Sequence, residues 1–151
     1  MPTLSTCLWF DGHAEEAATF YVSLFPNARI LETTHYPHGS VLIVRFELEG
    51  QVYLALNGGP HYTLTPACSL VATCDTQAEV DALWQALCEG GQESRCGWLT
   101  DRFGVSWQVV PRALPRLLHG PDPAGSQRAI AAMMTMSKLD LPALQRAYDG
   151  S

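Results

Sequence analysis

The sequence predicts an α+β fold in which a strand–helix–strands unit occurs twice and a helical tail follows, and three observations predict it. A strand–helix–strands order occurs twice along the chain. At an offset of 64 residues, Asp11, Ala14, Glu15, Ala18 and Phe20 fall on Asp75, Ala78, Glu79, Ala82 and Trp84. The apolar spacing alternates between the strand period of 2 and the helix period of 3.6 in the same order in both halves. At 151 residues the chain is long enough for one domain with a real core. It reads as a single domain, 1–151, with a first unit at about 3–57, a second at about 67–111 and a tail at about 112–149.

The elements follow in order. "LSTCLWF", 4–10, reads as a strand that Asp11-Gly12 breaks. Ala14, Ala17, Ala18, Tyr21, Val22 and Phe25 fall at helical spacing, and Pro26-Asn27 ends that helix. Strands at about 28–36, 40–49 and 51–57 are separated by Pro37-His38-Gly39 and Glu49-Gly50. Residues 58–66 read as a linker. "ACSLVATC", 67–74, is the next strand, and Thr76-Gln77-Ala78-Glu79 has the form of a capping box. Val80, Leu83, Trp84, Leu87 and Cys88 form the apolar stripe of the second helix, which Gly90-Gly91 stops. "CGWLTDRFGVSWQVVP", 96–111, reads as two strands joined at Asp101-Arg102-Phe103-Gly104. In the tail, Asp122-Pro123 starts a helix striped by Ala129, Ala132, Met133 and Met136, and Asp140 caps a last short helix.

Composition excludes several classes of function. A net charge of −6 without a Lys/Arg cluster disfavours nucleic acid and anionic membranes, and weakly favours a cationic ligand. The apolar runs are too short to span a bilayer, and the N-terminus lacks a signal-peptide pattern. The expectation is a soluble, cytoplasmic protein. Five cysteines without a C-x-x-C pair read as reduced thiols.

Strand alternation separates a helix-covered face from an open one. Taking the more apolar set as helix-facing places Leu42, Val44, Phe46 and Leu48 under the first helix and leaves Ile43, Arg45 and Glu47 open. The same rule puts Val52, Leu54 and Leu56 under the helix and Tyr53, Ala55 and Asn57 in the open. In the second unit, Leu70, Ala72, Cys74, Val105, Trp107 and Val109 face the helix. Ser69, Val71, Thr73, Ser106, Gln108 and Val110 face away. Both alternate sets of the first strand are apolar, which leaves its face undecided. Open faces of mixed polarity suit either a ligand pocket or a half-exposed sheet packed on a subunit. Cys96 and Trp98 share one face of their strand, and Trp98 either caps a pocket or fills core. Arg45 is a candidate anion anchor, with an ion pair to Glu47 or Glu32 as the alternative.

"LWFDGHAEEAATFYVSLFPNA", "LALNGGPHY" and "CGWLTDRFGVSWQVVP" resemble the PhnB-like branch of the glyoxalase/bleomycin-resistance (vicinal oxygen chelate) superfamily. More closely, they resemble its "3-demethylubiquinone-9 3-methyltransferase domain" subgroup, over about residues 3–148. The resemblance implies paired βαβββ modules around a cavity and a homodimer. It also implies a divalent metal held by His and Glu on the cavity strands. Those ligand positions fall on Thr6, Ser69, Gln108 and either Tyr53 or Leu54, where hydroxyls and a neutral amide are poor ligands. The five histidines show no H-x-H or H-E-x-x-H spacing. Nor does any G-x-G-x-x-G occur to suit the methyl-donor-binding fold of the subgroup's label.

Three readings follow. The first is a metal-free, cofactor-free dimer that binds an unidentified small molecule through Thr6, Tyr53, Asn57, Ser69, Cys96, Trp98, Ser106 and Gln108. The second is an enzyme using the same cavity with unidentified catalytic residues. The third is an interaction module whose open faces a partner subunit buries.

Overall fold

A computed structural model describes residues 1–151 as two compact units, Met1–Thr65 and Pro66–Ser151. In the first, β1 (Thr6–Phe10), α1 (Ala14–Leu24), β2 (Ala28–His35), β3 (Val41–Leu48) and β4 (Gln51–Asn57) follow in order. The strands form one sheet of order β1-β4-β3-β2, parallel between β1 and β4 and antiparallel elsewhere. The alanines of α1 are small enough for the helix to press closely on the sheet. Ala14, Ala17, Ala18 and Tyr21 are buried with Leu8, Phe10, Val44, Phe46, Leu48 and Ala55.

That core corrects the face read for β4. Ala55 is 0% exposed, and its register partners Leu8 and Val44 are buried with it. Tyr53 stacks on its partner Phe46 with ring centroids 5.5 Å apart, and Phe46 in turn meets Tyr21 of α1. Hence Tyr53, Ala55 and Asn57 face the helix, while Val52, Leu54 and Leu56 lie on the open face with Ile43, Arg45 and Glu47. The helix selects small or flat side chains where it presses, so the more apolar set was the wrong guide. For β1 the register settles the undecided face: Leu8 and Phe10 turn inward, Cys7 and Trp9 outward.

In the second unit, β5 (Ser69–Cys74), α2 (Gln77–Cys88), β6 (Gln92–Glu93), β7 (Trp98–Thr100) and β8 (Ser106–Pro111) repeat the plan. The sheet order is β5-β8-β7-β6, again with one parallel pair, β5 and β8. Val80, Trp84 and Leu87 of α2 are buried with Ala72, Cys74, Trp107 and Val109, as the alternation predicts, and with Leu99 of β7. The capping box forms: Thr76 Oγ1 accepts from Glu79 N at 3.1 Å, and Glu79 reaches back to Asp75 N at 3.0 Å. Three helices follow: α3 (Leu114–Leu118), α4 (Pro123–Met133) and α5 (Leu141–Asp149). Leu117, Ala129 and Leu144 form their small core, and Asp140 Oδ1 caps α5 through Ala143 N. The two-residue β6 and the one-turn α3 carry too few residues for a periodicity, and the sequence reading lacks both.

Candidate functional site

The parallel pair β5–β8 builds the polar open face of the second sheet. Register partners share a face, so Ser69 lies beside Ser106, Val71 beside Gln108, and Thr73 beside Val110. From the other side, β7 sets Trp98 beside Gln108 and Thr100 beside Ser106. The Gln108 Nε2 group donates to Ser69 Oγ at 3.0 Å. This bond uses one N–H and leaves the amide oxygen and a second N–H for other partners. Ser106 is 2% exposed, and its Oγ is buried without a hydrogen-bond partner. A buried hydroxyl in that state is costly, which marks this point of the face as incompletely satisfied. Val71, 57% exposed, and the half-buried Trp98 and Val110 supply apolar surface around it. The face therefore offers neutral hydrogen-bonding groups in an apolar frame and no ionisable side chain.

A buried carboxylate holds this arrangement from behind. Asp101 Oδ1 accepts from Phe103 N at 2.8 Å and Val105 N at 3.0 Å, and Oδ2 accepts from Trp107 Nε1 at 2.9 Å. Asp101 thus fixes both the β7–β8 turn and the indole of Trp107, the inward-facing neighbour of Ser106 and Gln108. Its role follows from the D-R-F-G turn only in part, because the indole contact crosses six residues.

The remaining residues expected at a ligand site lie elsewhere. Thr6 and Tyr53 are register partners on the helix side of the first sheet. Burial raises the Tyr53 phenol above its ordinary value of 10.0. Asn57 serves α1: its Oδ1 accepts from Ala14 N at 2.9 Å, and its Nδ2 donates to Val41 O at 3.1 Å. That supplies the cap that His13 does not. Cys96 precedes β7 rather than sharing a strand face with Trp98. Its backbone is left-handed, with φ of 58°, and its thiol donates to Met133 O at 3.5 Å.

The first sheet's open face is greasier. Trp9 Nε1 donates to Gly59 O at 2.8 Å, and its ring meets Tyr62 edge-on at 4.9 Å. Gly58 lies under that indole, where any Cβ would overlap the ring. Arg29 takes Glu47 at 3.3 Å, which leaves Arg45 opposite Glu32.

The strand registers align the two units residue by residue. Phe10 pairs with Asn57 and Cys74 with Pro111, so Gln108 corresponds to Leu54 and Val71 to Cys7. The offset that aligns Asp11 with Asp75 aligns Ser5, not Thr6, with Ser69. This explains why Thr6 and Ser69 occupy different faces.

A family model described as 3-demethylubiquinone-9 3-methyltransferase matches residues 2–110. The chain belongs to this family. A PhnB protein from Bacillus cereus is 34% identical, with a TM-score of 0.69 over 73% of this chain and 99% of its own. Protein PA1353 from Pseudomonas aeruginosa shares the fold at 23% identity, with a TM-score of 0.61 over 74% of this chain and 98% of its own. FosX, a fosfomycin resistance protein from Listeria monocytogenes crystallised with Mn(II), shares the fold at 15% identity. Its TM-score is 0.54 over 73% of this chain and 92% of its own. No curated protein matches the chain. No helix is long and apolar enough to cross a membrane.

The superfamily's divalent metal does not fit the residues present. Ser69 and Gln108 share an open face but donate only neutral oxygens, and one of each pair's groups is already spent on the other. Thr6 and Tyr53 turn to the helix side, and the open-face residue of β4 is Leu54, which has no donor atom. No three His, Cys, Asp or Glu side chains converge. Hard and borderline divalent ions need carboxylate, imidazole or thiolate to repay their dehydration.

Proposed function

We propose that this protein binds an uncharged small molecule, without a metal, on the open face formed by β5, β8 and β7, and that it works as a homodimer in the cytoplasm. One observation carries the reading: Gln108 is hydrogen-bonded to Ser69 beside the unpartnered Ser106, at the position where the family resemblance implies a metal-binding carboxylate. An amide in that place keeps the shape and removes the charge. It also changes what the site recognises. Gln108 presents an acceptor and a donor side by side, the complement of a primary amide, lactam or similar neutral group. Trp98 and Val71 give that group's apolar part a surface to lie on. Five free cysteines support a reducing compartment, which cell fractionation checks.

The test uses two probes. Protein incubated with Mn(II), Ni(II) or Zn(II) and then desalted is expected to retain well under one metal per chain, with an unchanged Tm. One metal per chain, lost in Gln108→Ala, overturns the metal-free reading. Benzamide, titrated in two-dimensional ¹H–¹⁵N NMR, is expected to move the Gln108 side-chain amide and the Trp98 indole signals. A benzamide titration that leaves both signals in place overturns the ligand site. Sedimentation equilibrium at micromolar protein is expected to give twice the chain mass, and a monomer there removes the dimer.

A further inference from the structure

Residues 111–151 lie beyond the family match, and about three quarters of this chain accounts for nearly all of the Bacillus cereus protein. The tail is therefore an addition to what the two proteins share, and it is fastened at one place in particular. Residues 136–141, which lead from α4 into the first residue of α5, cross the loop that leads into β7. Met136 O accepts from Cys96 N, and Ser137 O accepts from Gly97 N, both at 2.8 Å. Cys96 and Gly97 are consecutive left-handed residues, with φ of 58° and 86°. A non-glycine residue in that conformation needs its surroundings to hold it there. The two carbonyls of the crossing segment do so.

Gly97 is gripped from its other side as well, since Val109 N donates to Gly97 O at 2.8 Å. The crossing segment, the 96–97 peptides and β8 thus form one continuous hydrogen-bonded series. It ends beside Gln108 and leads directly into Trp98, the cross-strand neighbour of Gln108. Side chains clasp the segment in turn. Gln77 Nε2 donates to Leu139 O at 2.9 Å, and Gln77 Oε1 accepts from Leu141 N at 2.7 Å. Lys138 Nζ pairs with Asp81 Oδ1 at 2.9 Å. Leu139 is 0% exposed and lies so near Gly97 that an added Cβ would sit 3.0 Å from its Cδ1.

We propose that residues 136–141 act as a strap that sets the position of Trp98 against Gln108, which makes the C-terminal addition a specificity-determining part of the ligand face. The proposal rests on the reading of that face as a binding site. The strap contributes no group to the ligand; it fixes the wall on which the ligand's apolar part lies.

Two variants of the full chain test it. Gln77→Ala with Lys138→Ala removes both clasps while keeping the buried faces of α2 and the tail. Gly97→Ala puts a Cβ 2.9 Å from Val109 O and 3.0 Å from Leu139 Cδ1, so it forces the loop, the strap and β8 apart at their meeting point. Either is expected to speed hydrogen exchange at the Cys96 and Gly97 amides by about tenfold or more. The Trp98 indole signal is expected to shift in the ligand-free protein, and benzamide affinity to fall several-fold. Unchanged exchange at Cys96 and Gly97 in both variants overturns the strap. Faster exchange with an unmoved Trp98 signal and wild-type benzamide affinity overturns its role in specificity. Benzamide that moves neither Trp98 nor Gln108 in the wild-type protein overturns the binding site, and the specificity role with it. The exchange measurement reads the strap independently of that result.

Discussion

Asp101 shows how much one side chain can organise. It satisfies two turn amides and an indole N–H in a buried setting, so its removal strands three donors at once. Asp101→Ala is expected to cost about 3 kcal/mol of stability and Asp101→Asn less, read as a lower urea midpoint. Two thiols make a second point at this scale. Burial pushes Cys74 up to about 11, helped by the carboxylates of Glu79 and Asp75 against the opposing Arg112. Burial also pushes Cys88 up to about 11, helped by Glu93. Their ordinary value is 9.0, so between about 9 and 11 the unfolded chain releases protons that the folded chain retains. Their contribution to stability is whole below pH 9 and is lost as pH rises to 11. Denaturant midpoints at pH 8 and pH 10.5 are expected to fall in that order, with a smaller fall in Cys74→Ala. Such residues are hard to read in advance. A carboxylate that crosses six residues to an indole, or a cysteine held at positive φ, leaves no spacing in the sequence.

At the scale of elements, β4 is the informative case. Its register pairs Val44 with Ala55 and Phe46 with Tyr53, and its last residue caps the helix that packs on it. Asn57→Ala is therefore expected to destabilise the protein by about 1–2 kcal/mol through the lost cap while leaving benzamide binding unaltered. Thermal denaturation beside an NMR titration separates those effects. The strands β3, β5 and β8 were legible because one alternate set is decisively more apolar. For β4 that rule inverted, since the helix facing it is lined with alanine and favours close approach over bulk. The useful signal was Ala55 opposite an Ala-rich helix, which is a statement about volume rather than hydropathy. On the candidate face, Ser69, Ser106 and Gln108 were legible by the same alternation, whereas for Trp98 the sequence left pocket and core both open. The Gln108–Ser69 bond was not, because parallel register between strands some forty residues apart has no local mark.

At the scale of the whole molecule, the doubled plan was the most readable feature, because a repeat multiplies weak local signals. The chain between the two plans is the exposed part. Trp9 anchors it as far as Tyr62, and residues 65–68 are exposed. Brief proteolysis by a low-specificity enzyme is expected to cut first within about 63–68, giving two fragments by mass spectrometry. First cuts inside 96–111 or 136–141 would instead mean that the strapped loop is the looser part.

Three of the protein's four methionines, Met133, Met134 and Met136, sit within four residues at the junction of α4 and the strap, and Met134 Sδ lies 3.8 Å from Cys96 Sγ. Met133 and Met136 pack against the tail's small core, while Met134 is exposed. Peroxide would meet the outer thioether first, and a sulfoxide there places a bulky dipole where a soft apolar chain lay. Mass spectrometry of briefly oxidised protein is expected to find Met134 modified before Met133 and Met136. The place where the tail grips the loop into β7 is thus also where oxidation of the tail's methionines would begin.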